Sequence, residues 1–151
     1  MATKPTYEGT CLCGACTVKV YGPERTYQER CHCKDCQILS GTAFASSIMA
    51  QKMDVEFLGG DKIGRFSSST DSGNTSTRLF CLGCGAQLGQ DSPLFKERIA
   101  VQTGILRDYF CKIPYEGGDE IYVKDRWVGI PLVPNGKPRW AMYHGSTPPP
   151  E

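Results

Sequence analysis

The sequence has no long apolar run, only two histidines and almost no net charge. None of its 151 residues lies in an apolar segment of bilayer length, and the first eight contain no signal-peptide core. We therefore expect a cytoplasmic protein that does not enter a membrane. A formal net charge of +1 provides no basic surface, so no nucleic-acid partner is expected. Repeats and heptads are also absent, which excludes solenoids and coiled coils.

Cysteine, in contrast, is abundant. The chain contains nine cysteines, and an odd number leaves at least one thiol outside any set of disulfides. In a reducing compartment disulfides are a poor explanation for so many thiols. Metal ligation accounts better for most of them.

The length is enough for one hydrophobic core and short of two ordinary domains. We predict a single zinc domain over residues 9–145, between tails at 1–8 and 146–151. Short alternating segments separated by glycine and proline predict a mainly β fold with short hairpins and little helix. A helical turn is expected at 35–40, stopped by Gly41, and the polar run 67–76 is expected to be a hairpin loop. The predicted strands cover residues 17–21, 44–50, 55–57, 62–66, 77–80, 86–89, 99–103 and 120–123.

Three short clusters carry most of the thiols. Residues 31–36 read Cys-His-Cys-Lys-Asp-Cys, and further pairs stand at Cys11/Cys13 and Cys81/Cys84. Structural zinc takes four protein ligands, commonly two pairs from separate turns, whereas catalytic zinc keeps three and an open position. The two outer pairs can close a structural site, which leaves the central cluster as an open one. A second assignment joins Cys31 and Cys36 with Cys81 and Cys84 in a single site, and spacing alone leaves it open.

The remaining candidates are weaker. Cys16 and Cys111 are interpreted as buried apolar residues, although Cys16 lies near enough to Cys13 to be a ligand. His32 stands between two ligands, so we expect it beside the metal or exposed rather than bound to it. Asp35 is interpreted as a solvated turn residue, and His144 as a surface residue that could reach the open zinc.

The combination of motifs resembles a known family. Its parts are Gly-x-Cys-x-Cys-Gly at 9–14, Cys-His-Cys-x-x-Cys at 31–36, Gly-Thr-Ala-Phe-Ala at 41–45 and Cys-x-x-Cys-Gly at 81–85. Together they are similar to the glutathione-dependent formaldehyde-activating enzymes, which include the centromere-protein-V-like proteins. The resemblance runs from about Gly9 to Leu88 and weakly beyond.

This resemblance implies an Mss4-like β fold with two zinc ions. It implies a structural zinc on Cys11, Cys13, Cys81 and Cys84, and a catalytic zinc on Cys31, Cys33 and Cys36. The family activity is carbon–sulfur lyase chemistry, the formation of S-hydroxymethylglutathione from formaldehyde and glutathione. Glutathione is then the expected co-substrate, and a homodimer is compatible with the sequence.

The expected mechanism follows from three thiolate ligands. Such a zinc is a weak Lewis acid but can lower the pKa of an incoming thiol, which then adds to an aldehyde or another carbon electrophile. Lys34, Arg65, Arg78 and Arg107 are candidates to anchor the carboxylates of glutathione. The alternative is a non-catalytic, zinc-scaffolded binding module, which requires a fourth protein ligand such as His144 or Cys16. The aromatic segment 109–140 is interpreted as core, although it could line a pocket larger than formaldehyde requires.

Overall fold

A computed structural model of the protein describes residues 6–112, 116–135, 137, 139–143 and 145–146. This part of the chain is mainly β, with two short α-helices, so the predicted fold class is confirmed. The helices are α1 (Lys34–Ser40) and α2 (Arg107–Phe110). The strands are β1 (Thr6–Thr10), β2 (Thr17–Tyr21), β3 (Tyr27–Cys31), β4 (Ala45–Gln51), β5 (Val55–Leu58), β6 (Ile63–Ser69), β7 (Thr75–Cys81), β8 (Gln87–Asp91), β9 (Arg98–Gln102) and β10 (Asp119–Ile121).

The contacts within the chain define two compact units. The first comprises Met1–Thr26 and Ile48–Pro114, and the second comprises Tyr27–Ser47 and Tyr115–Glu151. The predicted single domain over 9–145 stays a prediction. Within the described residues, no helix is both long and apolar enough to cross a membrane.

The first unit is built from antiparallel strands. Strands β1, β2 and β5 form a three-stranded sheet in that order, and β9, β8, β7 and β6 are hydrogen-bonded neighbours. Alternation in β2 sends Val18 and Val20 into the core, where both are fully buried. They pack in one cluster with Leu88, Val101 and Leu106. The predicted bounds of β2 are confirmed. They could be predicted because this alternation is visible in the sequence.

The hairpin between β6 and β7 is longer than expected. The polar run 67–76 is a loop only at its centre, since β6 continues to Ser69 and β7 begins at Thr75. The hydroxyls of Ser67 and Thr77 lie 2.8 Å apart across the two strands. Side-chain pairs of this kind support strand pairing without apolar residues, which explains why the loop prediction was too long.

The second unit joins β10 to β3 in parallel. Ile121 pairs with Cys31 at the end of this ladder, and the His32 N–H donates to the Ile121 carbonyl at 3.0 Å. Helix α1 begins two residues later, at Lys34, and ends at Gly41, which has a left-handed φ of 68°. The predicted helical turn and its stop are confirmed. Strands β1 and β3 were not predicted, because neither shows a clear apolar alternation.

Candidate metal centres

Two hairpin turns of the first unit bring four thiols together. The turn between β1 and β2 carries Cys11 and Cys13, and the turn between β7 and β8 carries Cys81 and Cys84. Each turn continues through a glycine of positive φ, Gly14 at 82° and Gly85 at 73°, which an L side chain rarely adopts. The four sulfurs all lie within 4.8 Å of one another, an arrangement that could hold a metal ion.

The spacing of these sulfurs fits a tetrahedral ion. The sulfur of Cys13 lies 3.7 Å from that of Cys11 and 3.6 Å from that of Cys81. A regular tetrahedron with sulfur about 2.3 Å from its centre has edges of about 3.8 Å. The turn backbone adds support, because the Cys16 N–H donates to the Cys11 sulfur at 3.2 Å. The donor set therefore fits zinc in both chemistry and size.

The pKa values within this group diverge. Burial raises the pKa of the Cys11 thiol, but the Cys16 N–H and the three neighbouring thiols outweigh it and lower the pKa to about 6. The Ala15 N–H lowers the pKa of Cys13, yet the other thiols raise it to about 11. A hydrogen bond from the Ala86 backbone lowers the pKa of Cys84. Thiolates this close repel one another, so a central cation is what would let all four ionise.

Cys16 lies beside this group without belonging to it. Its side chain is fully buried in the apolar core, and its thiol donates to the Lys62 carbonyl at 3.6 Å. Burial, followed by the neighbouring thiols, raises its pKa to about 12, so it is a neutral thiol at physiological pH. The interpretation of Cys16 as a buried apolar residue is confirmed.

The second unit holds a separate group of three thiols. Cys31 ends β3, Cys33 is the N-cap of α1, and Cys36 lies in the first turns of that helix; their sulfurs also fall within 4.8 Å of one another. The Cys36 N–H donates to the Cys33 sulfur at 3.4 Å. Hydrogen bonds with Cys33 and Cys36, together with burial, raise the pKa of Cys31 well above its ordinary value. Cys31 and Cys36 are buried, whereas Cys33 is partly exposed.

Among the described residues, no histidine, cysteine or carboxylate joins this group as a fourth potential ligand. His144, one of the two fourth ligands considered from the sequence, lies outside the described residues, and Cys16, the other, is in neither group. Three clustered thiols could hold a metal ion, and this set presents one donor fewer than the first. The structure thus separates a group with four donors from a group with three.

His32 and Glu120 form a buried pair next to the three thiols. Both side chains are almost completely inaccessible, and His32 Nε2 lies 3.0 Å from Glu120 Oε1. The other carboxylate oxygen accepts from the Val133 N–H at 3.0 Å. Burial raises the pKa of Glu120, but these hydrogen bonds and the positive charge of Arg30 lower it below its ordinary value. His32 is therefore buried beside the thiols and does not belong to their group.

Glu120 was missed from the sequence. The segment 120–123 was predicted as a strand, and a carboxylate at its start is unremarkable without knowledge of what the strand faces. The sequence did contain one signal that could have identified Glu120. It is a glutamate in an otherwise apolar predicted strand, and the same chain has a histidine between two cysteines. Its charge is partly balanced by Arg30 Nη1 at 3.9 Å and by Arg139 Nε at 3.7 Å.

Gln37 connects this region to a surface tryptophan. Its side-chain N–H donates to the His32 carbonyl at 2.7 Å and to the Asp125 carbonyl at 2.9 Å. Its side-chain oxygen accepts from the Trp127 indole at 2.8 Å. The backbone between Cys31 and Cys33 is thereby fixed from two sides, by Gln37 and by the ladder to β10.

The other residues singled out from the sequence fall at separate places. Cys111 is exposed after helix α2, so its interpretation as core is wrong; the short helix ends there and turns the thiol outward. Asp35 is half-buried in the first turn of α1. Lys34 and Arg65 are exposed, as is Arg107, which pairs with Asp108 at 2.9 Å, whereas Arg78 is buried in β7.

The chain is similar to a known protein family, to a curated relative and to a solved structure. The family model described as "Glutathione-dependent formaldehyde-activating enzyme" matches residues 6–125. An uncharacterized lyase of Schizosaccharomyces pombe is 33% identical over 84 residues, which is 56% of either chain. The match thus spans about half the length of that curated relative. A crystal structure of a Rhodobacter sphaeroides protein has a TM-score of 0.52 and 20% identity, covering 88% of this chain and 98% of that one, a likeness of fold alone.

Proposed function

Since the chain belongs to the glutathione-dependent formaldehyde-activating enzyme family, we propose that it adds a thiol such as glutathione to an aldehyde. In the reverse direction the reaction is the cleavage of a carbon–sulfur bond. The thiol sulfur forms a bond to the carbonyl carbon, and the π pair of C=O moves to the oxygen. That oxygen takes up a proton in place of the one the thiol gives up, so no oxidant or reductant is needed.

The observation that carries this proposal is the group of three thiols in the second unit. Cys31, Cys33 and Cys36 converge, and no fourth donor joins them among the described residues. A set of three protein ligands is the pattern of catalytic zinc sites. Zinc bound there would supply one effect, a lowered pKa of the incoming thiol that favours the reactive thiolate.

The protein's own residues hold this group in position. The N-cap at Cys33 and the ladder that ends at Cys31 fix two of the three thiols on regular secondary structure. Gln37 and the His32–Glu120 pair hold the intervening backbone. Partial exposure of Cys33 leaves this side of the group accessible to a substrate. The group of four thiols has a different proposed role, a structural zinc that joins two hairpin turns of the first unit.

The test is the replacement of Cys33 by serine. We expect a protein that binds one zinc fewer and loses adduct formation, because two thiolates remain at that group. Zinc content is measured by mass spectrometry, and adduct formation by exchange NMR with formaldehyde and glutathione. Cys111→Ser is the matched control, since it removes an exposed thiol outside both groups. A Cys33→Ser protein with full turnover and one zinc fewer would refute the proposal.

A further inference from the structure

The three thiols of the second unit lie in an apolar setting. Cys31 and Cys36 are part of a buried cluster with Ile121 and Tyr122. Two large apolar side chains, Trp140 and Met142, pack against the same cluster and remain partly exposed. The only thiol of the group with comparable exposure is Cys33, which also packs against this cluster.

The apolar side chains are held in place by backbone pairing. The Trp140 N–H donates to the Glu120 carbonyl at 2.8 Å, and the Val123 N–H donates back to the Trp140 carbonyl at 3.1 Å. The Tyr122 N–H donates to the Met142 carbonyl at 2.6 Å. The segment that carries Trp140 and Met142 is therefore aligned with the end of β10, and its apolar surface is formed before any substrate arrives.

Formaldehyde makes no use of such a surface. It has a carbonyl group and two hydrogens, so it has no carbon substituent to bury against an indole or a thioether. An aldehyde with an alkyl or aromatic substituent would bury apolar area there, at about 0.8 kcal/mol for each methylene removed from water. That corresponds to about a fourfold gain in affinity for each methylene.

We infer that the electrophile is an aldehyde with an apolar substituent of several carbons, which packs against Trp140 and Met142. This inference rests on the proposed function and specifies its substrate class. The chemistry is unchanged: the thiol sulfur bonds to the aldehyde carbon, and the carbonyl oxygen receives the proton that replaces the one lost from sulfur. The substituent takes no part in the bonds that form and break.

Binding of stable adduct analogues tests this inference without depending on turnover. S-methylglutathione and S-hexylglutathione differ only in five methylenes, and their dissociation constants are measured by calorimetry on the zinc-loaded protein. We expect S-hexylglutathione to bind at least about tenfold more tightly, since burial of two methylenes already gives that ratio. Equal dissociation constants would overturn the inference.

Substitutions in the proposed apolar surface test whether that surface causes the difference in affinity between the two analogues. Met142→Ala removes the side chain but keeps the backbone groups that pair with Tyr122, and should reduce the hexyl-to-methyl ratio at least about threefold. Met142→Leu, of similar volume, should restore it. Val128→Ala is the control, because Val128 is fully exposed in the same unit and lies outside the cluster. If Met142→Ala proves unstable, Trp140→Phe is measured in its place. An unchanged hexyl-to-methyl ratio in the variant that is measured refutes the assignment.

Adduct formation with formaldehyde distinguishes failure of this inference from failure of the proposed function. If glutathione and formaldehyde form the adduct while the two analogues bind equally, the proposed function stands and the inference falls. If no aldehyde of the series from formaldehyde to hexanal gives an adduct above the uncatalysed rate, the proposed function falls, and the inference with it. A rate enhancement that rises along the series, in parallel with the analogue affinities, supports both.

Discussion

Replacement of Glu120 by glutamine should destabilise the protein by about 2–4 kcal/mol. The carboxylate is 1% exposed and accepts hydrogen bonds at 3.0 Å from the Val133 N–H and, through its other oxygen, at 3.0 Å from His32. The amide has no charge and only one acceptor oxygen, so the Val133 N–H loses its charged acceptor and His32 must accept from the amide NH2 instead of donating to a carboxylate. Hydrogen bonds to charged groups contribute about 1.5–3 kcal/mol. The attraction to Arg30 and Arg139 is lost as well, and both lie within 4 Å of the carboxylate.

The assay is thermal and urea unfolding of the zinc-loaded protein followed by circular dichroism. For a chain of this size, 3 kcal/mol corresponds to a decrease in Tm of about 6–12 °C. Asp61→Asn is the matched control, because it removes the same charge from a side chain that is 88% exposed, beside Lys62 at 3.7 Å. An exposed pair of this kind contributes at most about 1 kcal/mol. A Glu120→Gln protein as stable as this control would refute the reasoning.

The same substitution has a signature in the dependence on pH. The pKa of Glu120 in the folded protein lies below its ordinary value near 4.5. Its ionised form therefore contributes stability that is fully present above that ordinary value and is lost as pH falls through the folded pKa. Between pH 7 and acid conditions the wild type should lose more stability than Glu120→Gln, so the two curves converge. Parallel curves would contradict the assignment of a lowered pKa to this carboxylate.

Three further outcomes are expected. Cys84→Ser should lose the metal of the four-thiol group and unfold at a much lower temperature, since structural zinc contributes about 10–16 kcal/mol in zinc-finger peptides; unchanged zinc content and Tm would contradict this. Gly9→Ala should cost at least about 2 kcal/mol, because a Cβ there would lie 1.6 Å from the Ile105 carbonyl oxygen, whereas Gly104→Ala meets open space and should be neutral in urea unfolding. Cys111 should react first with N-ethylmaleimide in the zinc-loaded protein, and peptide mapping that finds another thiol labelled earlier would refute this.

Local features of this chain could be predicted from its sequence. Alternation of valines defined β2, and a glycine at 41 defined the end of α1, because each depends on residues a few positions apart. The grouping of the thiols was accessible in part, since short spacing within a turn limits which sulfurs can converge, but spacing left open a site that joins Cys31 and Cys36 with Cys81 and Cys84. Cys11, Cys13, Cys81 and Cys84 converge as the spacing suggested.

Features that depend on distant residues could not be predicted. The parallel pairing of β10 with β3 joins segments about 90 residues apart, and no local pattern encodes it. Without that pairing, nothing indicates that Glu120 meets His32 in the interior. The prediction that Cys111 lies in the core was wrong for a related reason. Its aromatic neighbours in the sequence suggested burial, but the direction of its side chain depends on where a four-residue helix ends.

Tyr122 has an unfavourable backbone conformation and lies in the buried cluster that contains two of the three thiols. Its φ of 55° and ψ of 39° place it in the left-handed region, which costs a side chain other than glycine about 1–2 kcal/mol. Glycine would allow the same turn at the end of β10 without that cost, but would leave uncovered the cluster that contains Cys31 and Cys36. A turn that served only to end the strand would have no need of a buried aromatic ring. The strained conformation therefore directs a buried aromatic ring into the cluster that contains Cys31 and Cys36, where a glycine would leave a gap in the packing.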